Sequence, residues 1–90
     1  SGGKESEVLF MNDKKEGLTT HWYESGVKGE EVNYKNGKVE GLEKEWYKSG
    51  RKKSLKHFKN GIENGVRKEW DKDGTLTFEG NFVDGVEEIK

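Results

Sequence analysis

The chain repeats itself every 24 residues, and that period restricts its fold more than any other feature. Trp22, Trp46 and Trp70 keep the step, as do Phe10, Tyr34, Phe58 and Phe82. Gly17, Gly41 and Gly65 follow it, trailed in turn by Leu18, Leu42 and Val66. Gly26, Gly50 and Gly74 agree, and so do Gly37, Gly61 and Gly85. Asn12, Asn36, Asn60 and Asp84 complete the register. Read this way, residues 4–90 form one array: a half unit at 4–13, full units at 14–37, 38–61 and 62–85, and a closing strand at 86–90. Ser1-Gly2-Gly3 reads as a cloning remnant and is set aside.

A glycine every 9 to 11 residues leaves room for short strands rather than helices. Leu42 and Trp46 stand four apart, so "LEKEWYK" could form two helical turns. Isolated helices that short are marginal, whereas "TLTFEGNF" alternates at period two and is rich in Thr and Phe. The turn signals "ESG", "KSG" and "KDG" follow the Trp segments, and "KNG" follows Tyr34 and Phe58. Together they predict an all-β fold: a single-layer antiparallel meander of tandem hairpins, elongated and twisted, with seven or eight short strands.

Turn chemistry predicts the register. In "WYESGV", a type I turn ending in a left-handed Gly makes the three-residue loop Glu24-Ser25-Gly26 and a bulge. Tyr23 then pairs with Val27, and Trp22 with Lys28. Extended without interruption, this register puts Leu18, Trp22, Val32 and Tyr34 on one face. Val66, Trp70, Leu76, Phe78 and Phe82 join that face in the third unit. The other face collects His21, Glu45, Arg67, Glu69, Glu79 and Asn81. The expectation is an aromatic ladder of Trp22, Tyr34, Trp46, Phe58, Trp70, Phe78 and Phe82, serving as core or as a partner-binding surface. Tyr23 and Tyr47 are expected as exposed contacts near the turns. One layer cannot bury such a ladder, so a strong twist into a groove, completed by self-association, is expected.

Composition narrows the function classes. Charged residues make up 39% and apolar ones 28%, which approaches disorder, but the ten aromatics supply a sparse core. Net charge is −1 with both signs interspersed, so nucleic acid is not a predicted partner. No apolar run reaches the roughly 20 residues of a membrane helix. The compartment stays open: the cytoplasm is slightly favoured, and a leader removed earlier is compatible. There is no Cys, hence no disulfide framework or thiolate metal site. Ser6, Ser25, Ser49 and Ser54 lie in no nucleophile motif, and "GVKGEE" lacks the pattern of a phosphate-binding loop. His21, Glu45 and Glu69 occupy equivalent positions two strands apart, about 10 Å, too far to share an ion. No catalytic, cofactor or metal residues are assigned. A small hydrolase is the remote alternative.

The elements "YKNGKVEGLEKEWYKSG" and "FKNGIENGVRKEW" resemble the MORN repeat, in its bacterial variant form, over about residues 10–90. The resemblance implies an array of β-hairpins used for protein interaction and, in some members, membrane association. It also implies an antitoxin-like role. The units depart from the pattern at Asp13 for the turn Gly, Asn64 for the Glu before Gly, and Asp71 for the Tyr after Trp. A non-enzymatic module binding a protein through its aromatic face or through edge strands 6–11 and 86–90 is the leading expectation. Membrane association is the alternative: net charge argues against it, and the local patch Arg51-Lys52-Lys53 argues for it.

Overall fold

The computed structural model describes residues 6–7, 10–11 and 14–89. Ser1-Gly2-Gly3 and Asp13 lie outside the described residues. No helix occurs among those described. The strands are β1 (Ser6–Glu7), β2 (Phe10–Met11), β3 (Lys14–Lys15), β4 (Gly17–Trp22), β5 (Lys28–Lys35), β6 (Lys38–Trp46), β7 (Lys52–Lys59), β8 (Ile62–Glu63), β9 (Gly65–Trp70), β10 (Leu76–Val83) and β11 (Val86–Glu87). One open antiparallel sheet runs β1-β4-β5-β6-β7-β9-β10-β11, with β8 also paired to β7. Strands β2 and β3 pair separately. Extents of 47 × 39 × 10 Å describe a plate with room for one layer.

Two kinds of turn build it. After each Trp comes the expected three-residue loop. Tyr23 N–H donates to Val27 O and Gly26 N–H to Tyr23 O, both at 2.8 Å. Gly26, Gly50 and Gly74 take φ of 94, 93 and 91°, the left-handed region that closes this loop. At the other end of the sheet, Asn36-Gly37, Asn60-Gly61 and Asp84-Gly85 are two-residue turns. Both central residues have positive φ, 53 and 81° at Asn36 and Gly37, which defines a type I′ hairpin.

Each unit is stitched to the next at both ends of the plate. Gly37, Gly61 and Gly85 donate their N–H to the carbonyls of Lys15, Val39 and Glu63, at 3.0, 2.8 and 2.9 Å. The N–H of Asn36 and Asn60 donate to the carboxylates of Glu16 and Glu40, at 3.0 and 2.9 Å. The N–H of Asp84 donates to Asn64 Oδ1 at 2.9 Å. Asn64, a departure from the pattern in sequence, thus accepts the same bond as the glutamates it replaces. At the Trp end, Tyr23 Oη donates to Trp46 O at 2.6 Å and Tyr47 Oη to Trp70 O at 2.7 Å. Asp71, in place of the third Tyr, instead folds on itself, accepting from Asp73 N and Thr75 N at 2.9 and 3.0 Å. Asp71 thus satisfies its own loop rather than reaching into a neighbouring unit.

Burial is correspondingly thin. Val32 and Phe82 are the buried apolar residues among those described, with Thr19, Thr20, Ser54 and Glu63 as buried polar ones. Cohesion comes from ladder bonds and these recurrent stitches as much as from an apolar interior.

Candidate functional site

The two faces differ from the expected ones because each Trp hairpin contains a further bulge. Trp22 pairs with Lys28 as predicted, but His21 pairs with Glu30, leaving Gly29 unpaired. Lys53 is skipped in the second unit and Thr77 in the third. An extra residue moves every later side chain to the opposite face. Val32 therefore stands across from Thr19, and Tyr34 from Gly17, away from Leu18 and Trp22. Phe78 pairs with Glu69 and Phe82 with Gly65, away from Trp70 and Val66. Glu79 and Asn81 pair with Lys68 and Val66, so they too change sides.

The single aromatic ladder is thus corrected to two half-ladders. Trp22, Trp46 and Trp70 share one face, here the Trp face. Tyr34, Phe58, Phe78 and Phe82 occupy the other. Coiling of the sheet is not what covers the aromatics; each face shelters its own set partially, and among the set only Phe82 is buried. Tyr23 and Tyr47, expected to be exposed, are half-buried and hold the next unit through their hydroxyls. Tyr23 also lies over Gly29, where an added Cβ would come 3.2 Å from its ring. In the second unit Lys53 takes that place, its Nζ 5.7 Å from the Tyr47 ring centre.

Charge segregates with the faces. The Phe/Tyr face carries Glu30, Glu43, Glu45, Glu63 and Glu69 against Lys56, Arg67 and His21. Burial first, then repulsion from Glu30, Glu45 and Glu63, holds the Glu43 carboxyl above its ordinary pKa despite Lys56 at 3.9 Å. Glu63 is held below its ordinary pKa, chiefly by its hydrogen bonds from Arg67. Arg67 in turn lies 4.2 Å from the Phe82 ring centre. No three metal-ligating side chains converge among the described residues.

The Trp face is basic and apolar. It carries Lys28, Lys44, Lys52 and Lys68, with Glu31 and Glu79 as acidic neighbours. Leu18, Leu42 and Val66 form a row on it, 52, 40 and 38% exposed, one per unit. Between Trp46 and Trp70 the surface dips into a groove of about 460 Å³, whose lining includes Leu42, Lys44, Lys52, Leu55 and His57. His57 is fixed by a 2.8 Å hydrogen bond between Nδ1 and Val66 O. Sequence reasoning found the three Trp and Leu42 but missed Leu55, since a one-residue error in register exchanges the faces beyond the bulge; the lysines lie on the Trp face in either register and were not singled out.

These features define a class: a tandem β-hairpin repeat array with two chemically distinct faces. The MORN repeat variant family matches residues 15–36, 39–60 and 63–84. The chain belongs to that family. Repeats of this kind generally act as protein- or membrane-interaction modules. No curated protein and no solved structure matches the chain significantly.

Proposed function

We propose that the chain is a non-enzymatic interaction module that binds a protein partner through its Trp face. The observation that carries this reading is the row of Leu18, Leu42 and Val66, left 38–52% exposed beside three Trp in a chain with few apolar residues to spare. Contiguous apolar surface rimmed by charge is characteristic of binding faces. The membrane alternative has the same apolar row in its favour, together with the lysines of that face. It is weakened by the groove, a recess that suits a side chain better than a bilayer.

The test is the double variant Leu42→Glu/Val66→Glu. Both positions are solvent-exposed, so the fold should persist by circular dichroism. Partner retention on immobilised protein should be lost. Undiminished retention would move the site to the other face or to the edge strands. Sedimentation of the free protein reports whether the partner is a second copy. An antitoxin-like role is the narrower form of the proposal; it requires a toxin as partner and is tested by co-purification with the product of an adjacent gene.

A further inference from the structure

The repeat breaks its own charge pattern at one place on the Trp face. Residues 31, 55 and 79 are equivalent by the 24-residue step, and they read Glu31, Leu55 and Glu79. In the first unit Glu31 takes Lys28 at 2.6 Å, and in the third Glu79 lies 3.7 Å from Lys68. In the central unit Leu55 sits between Lys44 and Lys68 as their direct cross-strand neighbour and offers no carboxylate. Among the described residues, no ion pair engages Lys52 or Lys44, although Glu31 stands across from Lys44 on the neighbouring strand. Lys52 rests 5.7 Å from the Trp70 ring centre instead. Both lysines border the groove that Leu55 makes apolar, with Glu45 the one acidic residue in its lining.

We infer that this central groove binds an acidic peptide segment of the partner, its carboxylates meeting Lys44 and Lys52 and an apolar side chain seated between Trp46 and Trp70. The inference rests on the interaction reading above and names the partner chemistry for the same face. Charge complementarity selects the occupant. A second copy presenting its own Trp face would set lysine against lysine. A second copy presenting its acidic face would leave that copy's Trp face open, and stacking would continue without closing. A polyphosphate chain matches the lysines but not the apolar floor of Leu42, Leu55, Trp46 and Trp70.

The experiment follows Trp emission of the intact chain during titration with a Trp-free ten-residue peptide of Asp, Glu, Leu and Phe. Parallel titrations use its Lys-for-acid counterpart, a neutral Leu/Phe peptide, an oligothymidylate and phosphatidylserine vesicles. Saturable binding of the acidic peptide alone is expected. Leu55→Glu should weaken it by about tenfold or more, since the new carboxylate would sit between Lys44 and Lys68 and close the groove. The fold should tolerate this change, because the outer units carry Glu at the same position. If Leu55→Glu unfolds, Lys52→Glu carries the same test. Equal binding of the basic peptide, undiminished binding by the variants, binding of the nucleotide or vesicles in place of the peptide, or no binding at all would overturn the inference. Tight binding of the neutral peptide, abolished by Leu42→Glu/Val66→Glu, would overturn the acidic preference yet keep the Trp face as the binding surface.

Discussion

Arg67→Met should be among the most damaging single substitutions in this protein. Glu63 is 9% exposed and its carboxylate is held by two Arg67 donors, Nε at 2.8 Å and Nη2 beside it. Removing one partner of a buried pair costs about 3–5 kcal/mol. The side chains retain 27 and 10% exposure, so water reaches them and about 2–3 kcal/mol is the better figure here. Loss of the guanidinium over Phe82 adds about 0.5–1 kcal/mol. The sum, about 3 kcal/mol, is a large share of the ~5–15 kcal/mol typical of a domain. It corresponds to roughly 12–24 °C in melting temperature for a chain this size.

The pH dependence has a definite sign. Arg67 holds the folded-state pKa of Glu63 below its unfolded value. The resulting stabilisation is present above the unfolded carboxylate pKa and is lost as pH falls through the depressed folded value. The cost of Arg67→Met should therefore be largest near neutrality and shrink in acid. Urea unfolding followed by Trp emission at neutral and acidic pH measures both quantities. Glu63→Gln in the Arg67→Met background should recover much of the loss at neutral pH, because no charge is then left buried. A cost under about 1 kcal/mol, or one independent of pH, would show that the pair is merely a surface contact.

Tyr47→Phe removes only the hydroxyl that reaches Trp70 O, and should cost about 1 kcal/mol in urea unfolding, with a similar loss for Tyr23→Phe. An unchanged midpoint would mean the inter-unit stitch contributes nothing. Glu43→Gln should raise the melting temperature at neutral pH, since burial and three nearby glutamates disfavour its charge more than Lys56 favours it. A raised folded-state pKa makes the wild type regain stability as pH falls, so the gain from Glu43→Gln should fade in acid. A gain that persists at low pH would refute the electrostatic account.

Much of the fold was legible because turn chemistry is local. "ESG" and "KNG" dictate positive-φ residues at known places, and the observed loops at Gly26 and Asn36-Gly37 follow from them. The pairing of Trp22 with Lys28 was legible for the same reason. The faces were not. Gly29 could suggest a bulge, but its equivalents are Lys53 and Thr77, which carry no such signature. The candidate site inherited that error in part: the three Trp were visible as a series and Lys44 and Lys52 share their face in either register, whereas Leu55 joins Trp46 and Trp70 only in the bulged register.

The 24-residue period, the hairpin turns and the single-layer meander were determined by the sequence alone, because each depends on residues a few positions apart and on their repetition. Which aromatic shares a face with which charge was decided by the tertiary structure. One unpaired residue per hairpin reverses every side chain beyond it. That reversal separates the Trp from Tyr34 and the Phe, and sets Leu55 between Lys44 and Lys68.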